Sequence, residues 1–324
     1  SLGHPTVRAL TGDRDGALWI ATNGGGADRL DPRTGRFTHY RHDPGNTNSL
    51  AHDELRTVTQ DRSGALWFGT FGGGLDRFDP ATGTFSHHRH DPDDPASISH
   101  DFIRFVFEDR EGTLWVGTQG GGLNRLDPAT GAFTRYRHDP DDATTIATDH
   151  VFAVHEAADG TLWFGVFGGG ISRFDRETES FHRYRAEHGL AADSVYAMLG
   201  DAEGRLWIST TKGLSVFDPR TETFRNYDIR DGLQSNEFNG GAAYRSPRGE
   251  MFFGGINGFN AFYPEEIGIN REVPAVVITD LQLFNRSVAV GEVVGGRVLL
   301  EKSITSTEEV ELSCDEVYAV MDQF

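Results

Sequence analysis

The strongest constraint on this chain is the spacing of its indole rings. Trp19, Trp67, Trp115, Trp163 and Trp207 are its five tryptophans, with steps of 48, 48, 48 and 44. Phe252 holds the same slot 45 residues further on, within Met251-Phe252-Phe253-Gly254. The clearest copy of the repeat spans Gly112 to Tyr136. Leu114-Trp115-Val116-Gly117-Thr118 is a β-prone run, and Gly120-Gly121-Gly122 turns the chain where positive φ is needed. Leu123 to Leu126 resumes the strand, Asp127-Pro128-Ala129-Thr130-Gly131 closes a second tight turn, and Ala132 to Tyr136 is the next strand. With Phe102 to Phe107 upstream, each copy reads as a four-stranded meander. Four strands in roughly 40–50 residues are the signature of a β-propeller blade. A blade cannot cover its own two faces, so Trp19, Trp67, Trp115, Trp163, Trp207 and Phe252 are expected as structural rings in the gaps between blades.

The fold class is therefore all-β, a propeller over residues 1–265. Blades are expected at about 5–50, 51–98, 99–146, 147–190, 191–235 and 236–265. The first opens at Val7 to Leu10, and the fifth has Thr210-Thr211-Lys212-Gly213 where the others carry three glycines. The sixth supplies only three strands. A closed ring of six then needs a borrowed strand, and a ring of seven needs about 45 more residues upstream. After Pro264 the pattern changes. Val276 to Phe284 alternates apolar and polar residues and turns at Asn285-Arg286-Ser287, and Arg297 to Leu300, Glu309 to Leu312 and Val317 to Val320 read as further strands. Residues 266–324 are expected to form the first part of a small immunoglobulin-like β-sandwich, broken off at Phe324.

Composition narrows the function. The 40 glycines recur at turns, so they report many hairpins and not disorder. A net charge of −19 argues against nucleic acid or an anionic membrane surface as partner. Cys314 is alone, which excludes an internal disulfide framework. No apolar run approaches the ~18 residues of a membrane span, so membrane attachment is expected only through segments outside these residues.

Catalytic signatures are thin. His42, His90 and His138 recur once per blade and cannot converge on one metal. Asp53, Asp101, Asp149 and Asp193 recur before the first strands, as turn caps do. The triple glycines lack the Gly-Lys-Ser/Thr of a phosphate cradle, and His155-Glu156 lacks the second histidine of a zinc protease. Asp91 to Asp94 and Asp139 to Asp142 offer oxygen ligands to calcium but read more simply as solvated loops. No catalytic residue, metal or cofactor is expected. His188, Glu237 and Tyr196 are the only groups nameable for an enzyme, a propeller lyase or glycosidase.

What breaks the repeat is more informative. The turn after the second strand and the interblade connection share one rim, and unlike residues occupy it: Asn23, Phe71, Gln119, Phe167, Lys212 and Asn257 in equivalent turns, with Asn236 in a connection. Arg8, Arg56, Arg104, Phe152 and Tyr196 lie just inside the first strands. Aromatic faces stack on sugars, while amides and guanidinium groups bond hydroxyls and carboxylates. Arg56, Arg104, Phe152, Tyr196, Phe71, Gln119, Phe167, Lys212, Asn236 and Asn257 are the candidate ligand-binding residues.

The text Asp61-Arg62-Ser63-Gly64-Ala65-Leu66-Trp67-Phe68-Gly69-Thr70, with Gly72-Gly73-Gly74-Leu75-Asp76-Arg77-Phe78-Asp79-Pro80, resembles the two-component regulator propeller repeat. Gly249 to Pro264 followed by Val273 to Asn285 resembles the last blade of such arrays and the start of the three-tyrosine (Y_Y_Y) sandwich behind it. The resemblance implies the periplasmic sensor half of an inner-membrane receptor, usually a hybrid histidine kinase and sometimes a diguanylate cyclase. It further implies an oligosaccharide ligand, homodimerisation through the sandwich, and signalling domains and a membrane span outside these residues. Propellers of this family commonly have seven blades, one more than is visible here.

Overall fold

A computed structural model describes residues 1–267, 282–283, 286–294 and 296–302. The chain divides into two compact units, Ser1–Ile267 and Gly268–Phe324. The first is a six-bladed β-propeller, with five antiparallel sheets of four strands and a sixth of three, each ordered first to last along the chain.

The first strands, Val7–Gly12, Leu55–Gln60, Ile103–Glu108, Val151–Glu156, Val195–Gly200 and Phe238–Arg245, lie side by side in succession. The second strands carry the core. Leu66–Thr70, Leu114–Thr118, Leu162–Val166 and Leu206–Thr210 are buried at every residue, because each is flanked within its sheet and covered by a blade on either face. This explains an unbroken apolar run where a half-exposed strand would alternate. The fourth strands are less buried, as in Arg36–Tyr40, whose residues stay exposed or half-buried.

All five indoles are buried and each faces the following blade. Trp19 meets Phe68 and Phe78, with centroids 5.6 and 5.2 Å away. Trp115 meets Phe164 and Phe174 at 5.6 and 5.1 Å. Trp163 packs on Phe217 at 5.4 Å, Trp207 on Phe262 at 4.8 Å, and Trp67 lies among Ile103, Val106 and Leu114. An aspartate six residues upstream fixes the indole: Nε1 donates to Asp13, Asp61, Asp109 or Asp201 at 2.8–3.0 Å. The fourth blade has Ala157 in that place. Phe252 departs from the expected seam. It is half-buried on the free face of the sixth blade, against Tyr244 and Phe259 of its own sheet. Among the described residues no blade follows to cover it, and the ring sealed into the fifth seam's core is Phe253 instead.

In each of the first five blades one glycine of the turn after the second strand is sterically obligatory. Gly122 has φ +81°, and a Cβ there would overlap the carbonyl oxygen of Tyr136. Gly26, Gly74, Gly170 and Gly213 repeat the situation, so the fifth blade dispenses with two glycines but keeps the third.

In the second unit the described residues form two short hairpins, Gln282–Leu283 with Arg286–Ser287 and Val293–Val294 with Arg297–Val298. Of the strand expected over Val276 to Phe284 only Gln282–Leu283 is described, and Arg286–Ser287, expected in the turn after it, is its paired strand. The strands expected at Glu309–Leu312 and Val317–Val320 lie outside the described residues.

Candidate functional site

The two rims differ in what their arginines do. On the rim holding the turn after each first strand, Arg14 donates to the carbonyl of Arg62, Arg62 to that of Arg110 at 2.6 Å, and Arg110 to that of Ala158 at 2.6 Å. The amides of the same residues donate to Gln60, Glu108 and Glu156. These guanidinium groups are consumed as stitches, each reaching the next blade 48 residues on. The turns here are short, which leaves little to grip a ligand.

The opposite rim is built otherwise. Every first strand of the first five blades carries a bulge at its second residue. Pairing jumps between Val7 and Ala9, Leu55 and Thr57, Ile103 and Phe105, Val151 and Ala153, and Val195 and Ala197. The residues left out of register are Arg8, Arg56, Arg104, Phe152 and Tyr196. A bulge re-aims one side chain while the ladder on either side continues. In the sixth blade the irregularity widens to Asn239–Ala242, and Gly240 lies beside the Tyr196 ring.

Unlike side chains meet around this ring. The Arg56 guanidinium covers Phe71 at 4.4 Å, and Arg104 covers Phe152 at 3.8 Å. Phe71 stacks on Phe102 at 4.3 Å, and His100 meets Phe102 edge-on. Phe152 stacks on Phe167 at 5.2 Å, which continues to Tyr196 at 6.0 Å. Arg8 donates to Asn23 at 3.1 Å, and Arg56 pairs with Glu54 at 2.6 Å. Burial and then the charge of Arg8 lower the Arg56 pKa. Burial, with Arg56 and Arg8 adding repulsion, brings Arg104 down to about 10. Burial and the nearby Glu237 raise Tyr196.

Other candidates sit differently. Gln119 bridges to His150 at the next blade's first strand, as Asn23 does to Glu54 and Phe71 to Phe102. Lys212 is exposed, its amide held by Thr210. Asn236 accepts from the Ile229 amide at 2.8 Å, as Asp53, Asp101 and Asp149 accept from His42, His90 and His138, so its side chain braces a connection. Asn257 is held to Gln234 through its amide and side chain. Of the column Glu54, Phe102, His150, Ser194 and Glu237, sequence reasoning named only Glu237, and that as an enzyme group. The column also breaks the repeat, one residue after each capping residue, and that variation was the available signal. His188 caps its own short helix by accepting from the Arg185 amide, and no hydrogen bond among the described residues joins it to Tyr196 or Glu237. No group of three or more metal-ligating side chains gathers among the described residues.

Residues 1–24, 97–120 and 189–212 match the sequence profile of the two component regulator propeller family. Each match covers the segment leading into a blade and the first two strands of blade one, three or five. A histidine kinase P4 from Formosa agariphila is 33% identical over 125 residues, covering 39% of this chain and 9% of that protein. Among solved structures, the extracellular domain assigned to a hybrid two component system of B. thetaiotaomicron superposes with TM-score 0.69 at 26% identity, covering 82% of this chain and 34% of that one. A catalytically inactive virginiamycin B lyase from Staphylococcus aureus shares the fold at TM-score 0.61 and 16% identity, covering 81% of this chain and 82% of the lyase. The chain thus spans about a third of the extracellular domain and under a tenth of the kinase it matches.

Proposed function

Since residues 1–24, 97–120 and 189–212 match the two component regulator propeller family, we propose that this chain is the extracytoplasmic ligand-sensing part of a hybrid histidine kinase receptor in the periplasm, and that its ligand is an oligosaccharide. One observation carries the reading: five successive bulges turn five side chains, three cationic and two aromatic, out of an otherwise repeated scaffold. Scaffold positions repeat because packing repeats. Positions that differ blade by blade on one rim suit a ligand that is not itself rotationally symmetric. The histidine kinase and the hybrid two component domain among its relatives support the receptor context. The signal would pass to the unit after Ile267, which the Y_Y_Y resemblance reads as a sandwich that dimerises.

A lyase or glycosidase is the second reading, favoured by the fold it shares with the virginiamycin B lyase. It needs a paired acid and base at the mouth, and His188 is occupied in a connection. The test is thermal-shift screening of plant and host glycan fragments against the full-length receptor and this chain. A ligand at a hundredfold its Kd is expected to add roughly 2.7 kcal/mol of stability. No shift with any fragment overturns the saccharide reading, and turnover lost in Glu237→Gln would install the enzyme in its place.

A further inference from the structure

Arg104 is a half-buried cation without a counter-ion among the described residues. Its Nε is buried and makes no hydrogen bond, and among the described residues its guanidinium meets no carboxylate, only the face of Phe152 at 3.8 Å. Arg56, beside it in the ring, has one carboxylate, Glu54, and its own Nε is likewise buried and unbonded. Arg8 completes the arc with a neutral partner, Asn23. Three guanidinium groups thus share one carboxylate, in a protein whose net charge is −19. On the opposite rim Arg14, Arg62 and Arg110 each donate to a carbonyl of the next blade, whereas the Arg104 guanidinium makes no such bond among the described residues. Gathering like charges on adjacent bulges costs stability, and burying polar N–H groups without acceptors adds to that cost. Among the described residues the rest of the fold supplies no anion that would offset this gathering of charge beyond Glu54.

We infer that the mouth takes an acidic ligand, an anionic group such as a carboxylate or sulfate being held by Arg104 with Arg56 and Arg8 while a sugar ring lies toward Phe152 and Tyr196. The guanidinium fork offers parallel N–H donors matched to two oxygens of one anion. The adjoining arc is aromatic, Phe152 to Phe167 to Tyr196, so charge and apolar ring face are met by neighbouring blades. The identification of a saccharide rests on the proposed function; the anionic group rests on the arginines alone.

Calorimetry on this chain at low and at physiological salt separates the two. The probes are oligogalacturonides for carboxylate, chondroitin sulfate oligomers for sulfate, neutral galacto-oligosaccharides of matched length, and the non-saccharides inorganic sulfate and tricarballylate. An acidic oligomer is expected to bind at least tenfold more tightly than the neutral one. The preference should shrink with salt, and Arg104→Gln should weaken acidic binding at least tenfold. Arg8→Gln should weaken it severalfold, and Arg36→Gln, on an outer strand, should leave it unchanged. Binding of the neutral oligomers at equal affinity, indifferent to Arg104→Gln, overturns the anionic inference and leaves saccharide sensing standing. Binding of sulfate or tricarballylate alone, lost in Arg104→Gln, keeps the anion site and removes the sugar. No binding by any anionic probe overturns the inference outright.

Discussion

Asp109 is where the seam between the third and fourth blades is most exposed to a single substitution. Its carboxylate is wholly buried. One oxygen accepts the amides of Glu111 and Thr113 at 3.0 and 2.9 Å, and the other accepts Trp115 Nε1 at 2.9 Å and Arg176 Nη2 at 2.9 Å, the latter from the fourth blade. Asp109→Ala removes all four acceptor contacts. An orphaned buried indole N–H costs about 1–3 kcal/mol, and each charge-assisted bond lost a further ~1.5 kcal/mol or more. Arg176 retains Glu111 at 3.1 Å, which limits the loss, and two turn amides can reach water. The sum is about 3–5 kcal/mol, the range for breaking a buried pair and a large part of the ~5–15 kcal/mol that holds a typical domain. Asp109→Asn keeps the shape and one acceptor oxygen, so its cost should be about half. Urea titration followed by tryptophan fluorescence and by far-UV circular dichroism reads both. A pH control is built in. Burial pushes this carboxyl up, but the bonds from Trp115, Thr113 and Arg176 outweigh it and hold it below the ordinary range. Its stabilisation is therefore full above the unfolded carboxylate value near ~4 and is lost as pH falls through the lower folded value. The gap between wild type and Asp109→Ala should close in acid. A gap under about 1 kcal/mol at pH 7, or one unchanged down to pH ~2, refutes the role given to this carboxylate.

Two further predictions follow from the same geometry. Gly122→Ala should cost more than about 2 kcal/mol, since a methyl collides with the Tyr136 carbonyl at φ +81°, whereas Gly131→Ala, at φ +74° with open space around it, should cost only ~1 kcal/mol; equal melting curves for the two variants would refute the steric argument. His155 is held down to about 4 by burial, with Arg245 and Arg110 adding repulsion. The unfolded chain takes up that proton first, so stability should drop by up to about 3 kcal/mol as pH falls from ~6.5 to ~4, and His155→Gln should flatten that part of the profile in urea titrations run at stepped pH.

The period of the tryptophans determined the architecture without any coordinates, because a sheet apolar on both faces can hide only between two copies of itself. Five four-stranded blades, a sixth of three strands, and the rim on which the chain varies all follow from where Trp19 to Trp207, the triple glycines and the Asp-Pro turns fall. Other features were invisible in one dimension. Trp115 and Asp109 are six residues apart in any conformation, but only the meander brings the indole N–H onto that carboxylate. Arg14, Arg62 and Arg110 look as free as Arg104 in the text, and only the closeness of successive turns shows the first three stitched to the next blade while Arg104 has just the face of Phe152. Phe252 occupies the tryptophan slot by spacing, yet a seam requires a neighbour, and covering a ring is a property of the assembled wheel. Periodicity is local and survives in sequence; which donors find acceptors depends on the distance between blades, and that is fixed only when they stack.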